Sequence, residues 1–228
     1  MSDDRSWRAF FPSTFEGAAE LQRRLASQVR EDDDPSPIEI VGGADLSYDR
    51  QRDLFFAAVV SLDARTGRLI EVGRAVARVE LPYVPGFLSF HEGPGVIEAL
   101  QSMTHPPQIL LCDGHGRAHP RRFGLACHLG LALDLPTVGV AKSLLVGSYR
   151  EPGVARGCST ALRDRGEVIG RVLRTRRGVR PLFVSVGHRI SLDSARKLVL
   201  RWAPRWRLPE PTRQAHLEVS RLRAEAQR

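Results

Sequence analysis

QILLCDGHGRAHPRRFGLACHLGLALDLPTVGV, residues 108–140, holds a strand, a helix and a second strand in succession. Gln108 to Cys112 is a short apolar run of strand length, Phe123 to Leu133 reads as a helix, and Thr137 to Val140 is another short apolar strand. This spacing implies a parallel crossover. The first strand delivers Asp113 to its carboxyl end. Gly114, His115, Gly116, Arg117, His119, Arg121 and Arg122 follow at once. Ligands of open α/β sheets gather where strands end. An acid there, with flexible backbone and cationic neighbours, suits a metal ion and a phosphate. An Asp-Gly pair after a strand also makes an ordinary turn. From this stretch alone both readings stand.

Upstream, the pattern is different. Ile38 to Ser47 reads as a strand containing Gly42-Gly43-Ala44-Asp45, Leu54 to Leu62 as a second, and Leu69 to Val79 as a third, with a turn at Arg65-Thr66-Gly67. Such short connections favour antiparallel neighbours. Ser13 and Glu16 suggest a capping box for a helix running to about Arg30, and residues 94–103 suggest another helix. The α/β order is therefore three antiparallel strands, then parallel strands, flanked by helices. That is the order of a ribonuclease H-like mixed sheet, which by itself does not fix function.

Downstream, residues 150–180 carry nine arginines against three acids. Val168 to Leu173 and Leu182 to Val186 read as further strands. Ser191 to Trp202, capped by Ser191, and Glu210 to Ala226 read as helices. There is no linker, repeat or low-complexity segment. One domain over residues 1–228 is expected, with an N-terminal helix and a basic C-terminal helical tail.

Composition narrows the partners. The formal charge of the 228-residue chain is +8, and 42% hydrophobic residues suffice for a core. Clustered arginine attracts polyanions. Of 34 basic residues only Lys142 and Lys197 are lysine, which marks each as a position where a compact ammonium is wanted. Three scattered cysteines without a Cys-x-x-Cys pair point to free thiols in a reducing compartment. No stretch approaches the roughly 18 apolar residues of a membrane span. A cytoplasmic, monomeric protein is expected.

Asp45 near the end of the first strand and Asp113 at the end of the fourth meet at one edge if those strands are neighbours. Glu92 lies just before the helix expected at 94–103. Three carboxylates without cysteine favour Mg²⁺ or Mn²⁺ over zinc. His115 and His119 lack the cysteine half of a zinc finger, His91-Glu92 lacks the second histidine of a zincin, and no Gly-x-Ser-x-Gly elbow or Walker loop is present. In Pro82-Tyr83-Val84-Pro85-Gly86 two prolines stiffen a loop around a tyrosine, a rigid aromatic of the kind that can enter a base stack.

Gly43-Ala44-Asp45, Pro82 to Gly86, Ser89-Phe90-His91-Glu92-Gly93-Pro94, Asp113 to Pro120, Val138 to Ser143 and Val186-Gly187-His188-Arg189 occur in the order and spacing of endonuclease V. From about Glu20 to His216 the chain resembles that family of deoxyinosine-repair nucleases. The resemblance implies a ribonuclease H-like fold, Mg²⁺ dependence with Mn²⁺ as substitute, and DNA containing deoxyinosine as partner. It implies cleavage of the second phosphodiester 3′ of the lesion, leaving a 3′-hydroxyl and a 5′-phosphate. By motif, Asp45, Glu92 and Asp113 are the metal-binding acids, Lys142 and His216 complete the catalytic set, and Tyr83 is the wedge. Gly86, Gly114 and His119 belong to the loops that meet the base and strand. His91 stands where the family pattern expects arginine. Animal relatives cleave inosine-containing RNA, which leaves an RNA substrate as the alternative, with a non-catalytic nucleic-acid-binding protein as a third reading. Hypoxanthine offers O6 as acceptor and N1–H as donor, the reverse of adenine on that edge. Backbone groups alone can therefore select it once it is extruded.

Overall fold

A computed structural model describes residues 6–12, 14–33, 36–78 and 84–226. Its centre is one eight-stranded sheet. The strands are β1 (Ile40–Asp49), β2 (Leu54–Asp63), β3 (Leu69–Arg78), β4 (Ile109–Cys112), β5 (Thr137–Ala141), β6 (Ser159–Asp164), β7 (Glu167–Leu173) and β8 (Leu182–His188). They lie in the order β3-β2-β1-β4-β5-β8-β7-β6. β1, β2 and β3 pair antiparallel, while β4 runs parallel to both β1 and β5. This is the ribonuclease H-like arrangement expected from the order of elements. β8, β7 and β6 extend it by antiparallel pairing.

Alternation along the strands places the helices. Ile109 and Leu111 of β4 face one core with Val41, Val138 and Val186. This core is covered by Ala195, Val199 and Trp202 of α4 (Leu192–Trp202) and Ala215 of α5 (Glu210–Glu225). Leu110 and Cys112 face the other, covered by Val96 and Ile97 of α2 (Leu88–Gln101) and Leu125 and Leu129 of α3 (Leu125–Leu133). A strand buried on both faces reads as an unbroken apolar run, which is why Ile109 to Cys112 shows no polar alternation.

Three expectations shift. The N-terminal helix α1 spans only Ala18–Ala26. Its start is Gly17 in a left-handed conformation with no side-chain cap, and Ser13 of the expected capping box lies outside the described residues. α2 begins at Leu88, six residues before Pro94, so Glu92 lies within a helix rather than before one. Pro94 cannot donate to the Phe90 carbonyl, yet Ser89, Phe90, His91 and Gly93 are all buried, and that packing outweighs one missing bond. β6 is an added strand. It turns into β7 through Arg165 and Gly166, both at positive φ (51° and 83°), the two-residue hairpin geometry that glycine favours.

His128 ties three elements together. Its Nε2–H donates to the Phe10 carbonyl at 2.7 Å, its Nδ1 accepts from Ser89 Oγ at 2.9 Å, and Phe11 stacks on it at 4.1 Å. Burial pulls its pKa down from about 6.5 to about 4. The unfolded chain takes up that proton more readily. The neutral ring therefore contributes stability in full above about pH 6.5, and the contribution is lost as pH falls toward 4, to the extent of about 3 kcal/mol. His128→Gln, which can keep both hydrogen bonds, is expected to flatten the fall in melting temperature between pH 7 and pH 4. An unchanged pH dependence would remove His128 as its source.

Candidate active site

The parallel pairing of β1 and β4 sets the site. Ala44 is opposite Cys112, so the next residues, Asp45 and Asp113, emerge side by side. The Asp113 N–H donates to the Ala44 carbonyl at 3.2 Å and locks that register. Cys112 is in turn opposite Gly139 of β5, whose end carries Lys142. Glu92 comes from α2 and His216 from α5. All five line one cavity of about 620 Å³ together with Ser47, Leu88 and Arg223.

The carboxylates repel one another in a partly desolvated pocket. Burial, then the charges of Asp45 and Asp113, push Glu92 up to about 8. Burial and Asp113 also raise Asp45, opposed by its hydrogen bond from His216. His216 Nδ1 stands 2.8 Å from Asp45 Oδ2, and Lys142 Nζ bonds Asp113 Oδ2. With Asp45 ionised, Nδ1 of His216 carries the donated hydrogen and Nε2 is left able to accept a proton. Among the described residues no three His, Cys, Asp or Glu groups already stand at metal-ligand spacing. The chemistry of Asp45, Glu92 and Asp113 is nevertheless that of a hard divalent cation site: all-oxygen donors whose mutual repulsion a cation would relieve.

Gly86 occupies a turn that its sequence specifies. Phe87 N–H donates to Val84 O at 2.9 Å, Pro85 takes the first central position, and Gly86 takes the second at φ 82°. That is a type II turn, which needs positive φ there. Its carbonyl points into the protein and collects three donors: Gln22 Nε2 at 3.3 Å, His119 Nε2 at 3.2 Å and Arg121 Nη2 at 2.5 Å. Arg121 Nε is also held by Gln22 Oε1 at 2.5 Å, and its guanidinium lies over Phe87, 4.4 Å from the ring centre. His119 is buried, accepts from the Arg121 N–H through Nδ1, and is pulled down to about 4 by burial and Arg121. It holds the turn rather than lining the cavity.

Gly114 opens the loop after β4, next to Leu125. His91 turns away from the carboxylates and packs edge-on against Phe55 at 4.4 Å and Tyr48 at 5.3 Å. Tyr83 and Pro82 lie outside the described residues. Two groups escaped the sequence reading. Arg223 falls seven residues after His216 on α5 and therefore on the same helix face, a spacing that could have flagged it. Gln22 had no such signal, because its partners are distant in the chain.

Comparison with known proteins agrees with this layout. The family model described as Endonuclease V matches residues 23–217. A relative from Nostoc punctiforme, named Endonuclease V, is 48% identical over 211 residues, covering 92% of this chain and 94% of the relative. The crystal structure of the Endonuclease V from Streptomyces avermitilis superposes with a TM-score of 0.90 at 45% identity, covering 96% of this chain and 97% of that one. That of Ciona intestinalis, in complex with a 24mer DNA containing an inosine followed by a ribo-adenosine, gives 0.80 at 28% identity, covering 93% and 100%. With the carboxylates of β1, α2 and β4 gathered at one sheet edge and the family match spanning most of its length, the chain belongs to the endonuclease V family of nucleases.

Proposed function

We propose that this nuclease is a DNA-repair enzyme that recognises deoxyinosine and hydrolyses the second phosphodiester bond on its 3′ side. The observation that carries the reading is the convergence of Asp45, Glu92 and Asp113, flanked by Lys142 and His216, in one cavity. Asp45, Glu92 and Asp113 would hold Mg²⁺, for which Mn²⁺ can substitute. When bound, the ion lowers the pKa of water and stabilises charge on phosphate oxygens.

The chain's own groups do the rest. Lys142 exchanges Asp113 for the scissile phosphate and offsets its charge. His216 Nε2 takes up a proton on the attacking side, while Asp45 orients the ring through Nδ1. The Gly86 carbonyl is fully engaged by Gln22, His119 and Arg121, so the group this turn offers a base is its N–H, suited to the O6 acceptor of hypoxanthine. Gly114, on the neighbouring loop, lets a second stretch of backbone approach the base. His119 acts as a positioning residue for the turn that follows Tyr83, the wedge expected to fill the gap left by the extruded base.

The test is a duplex with a single deoxyinosine, incubated with the full chain and Mg²⁺. A nick at the second bond 3′ of the lesion, with 3′-hydroxyl and 5′-phosphate ends, is expected. No nicking by folded protein would refute the proposal. A second reading, inosine-containing RNA as the substrate, is favoured by one observation: the DNA bound to the Ciona relative carries a ribo-adenosine after its inosine. Deoxy and ribo substrates in direct competition separate the two.

A further inference from the structure

The chain has three tryptophans. Trp7 and Trp202 are buried, 6% and 7% exposed, whereas Trp206 is 50% exposed. It stands in the connection between α4 and α5, and its neighbours pin that connection to the active-site edge. Arg207 Nε donates to the Arg180 carbonyl at 2.9 Å, and its Nη2 donates to the carbonyls of Lys142 and Pro181, each at 3.0 Å. Thr175 Oγ1 donates to the Arg207 carbonyl at 2.7 Å. From α5, one turn before His216, the Arg213 guanidinium lies over the indole at 5.4 Å. Two bonds to Glu210, at 2.8 and 2.6 Å, hold that guanidinium in place. The ring is thus backed by fixed groups and half open to solvent, with Arg205 and Arg207 on either side of it in the chain.

Its place in the fold gives this aromatic a use. The Gly86 turn leads into α2 and so belongs to the layer of α2 and α3. Trp206 belongs to the opposite layer, with α4 and α5. Asp45, Asp113 and Lys142 stand on the sheet edge between them. A strand whose lesion is read beside Gly86, and whose next phosphates lie on that edge, runs on toward Trp206.

We propose that Trp206 is a stacking platform for a base of the substrate strand on the 3′ side of the cut. This rests on the nuclease reading above. Stacking on an indole accepts any base, so the platform holds the strand without adding a sequence requirement. The flanking arginines supply charge for its backbone.

All three indoles emit, but Trp7 and Trp202 are buried, so a change of emission on DNA binding reports chiefly on Trp206. An inosine-containing duplex titrated into the full chain in EDTA is expected to quench the fluorescence, and Trp206→Phe should remove most of that change. Trp206→Ala is expected to raise Kd and KM about tenfold, the scale of one stacked base, while Trp206→Phe recovers most of the affinity. The effect should fall on KM rather than kcat. Placing an abasic nucleotide at successive positions 3′ of the cut should reveal one position where that change and Trp206→Ala are not additive. Unchanged emission at saturating DNA, or wild-type affinity in Trp206→Ala, overturns the platform. The nuclease reading fails separately: quenching and weakened binding in Trp206→Ala, without nicking by the wild-type chain, would keep the platform and remove the reaction.

Discussion

Asp113→Asn is expected to bind an inosine-containing duplex as tightly as the wild-type chain and to nick it roughly three orders of magnitude more slowly, the scale on which one preorganised electrostatic group acts. Asparagine keeps the volume and the backbone bond from residue 113 to the Ala44 carbonyl, so the β1–β4 register is preserved. The charge alone is lost. With it go the ionic anchor of Lys142 and, on the proposed reading, one of the three negative charges that would hold a divalent cation, although the amide keeps one oxygen. The fold should not suffer, because the Asp113 charge is one of the influences that raise Asp45 and Glu92, and its removal relieves that repulsion. A melting temperature equal to or above that of the wild type, beside intact gel-shift binding and lost single-turnover nicking, is the expected set. Nicking at the wild-type rate would take Asp113 out of the chemistry.

Gly43→Ala is expected to damage both stability and activity although residue 43 does not line the active-site cavity. A Cβ at Gly43 would lie 2.1 Å from the Pro211 carbonyl carbon, 2.3 Å from its oxygen and 2.5 Å from Thr212 N. Those are backbone atoms of the first turn of α5 and have no rotamer with which to move aside. The helix must shift, and His216, one and a half turns along it, leaves Asp45. Overpacking of this kind costs about 1–3 kcal/mol and sometimes more. The loss of nicking should exceed what the melting shift explains. Gly95→Ala is the matched control. Its Cβ would meet the flexible end of Leu46 at 3.3 Å and the Ala57 Cβ at 3.6 Å, an ordinary contact, inside a helix that favours alanine, and a change under about 1 kcal/mol is expected. Wild-type melting and nicking in Gly43→Ala would show that α5 is not seated through this contact.

The acids of the site show how far the sequence can be read. Asp113 was legible because it ends a short apolar strand, where a sheet offers ligands. Asp45, expected near the end of the first strand, lies at the sixth of the ten residues of β1 and reaches the site because the parallel neighbour β4 stops beside it at Cys112. Glu92 was legible as an acid, but its helix was not. Pro94 reads locally as a helix start, and only the burial of Ser89 to Gly93 against the sheet carries the helix back to Leu88. β6 was missed because its apolar pattern is weak, although the Arg165-Gly166 turn marked it. From sequence, Pro82 to Gly86 reads only as a loop stiffened by two prolines; that Pro85-Gly86 is a type II turn is seen in the structure. That the Gly86 carbonyl faces inward is set by Gln22, His119 and Arg121, which come from elsewhere in the chain.

Residue order and type therefore determined which strands pair parallel and which acids reach the sheet edge, because these depend on period and strand ends. The tertiary structure decided that Glu92 rides on a helix, that His216 reaches Asp45 over a glycine with no room for a methyl group, that His119 is spent on holding a turn, and that Trp206 alone of three indoles stays in water. Each of these depends on distances between segments far apart in the chain, and packing, rather than local propensity, sets those distances.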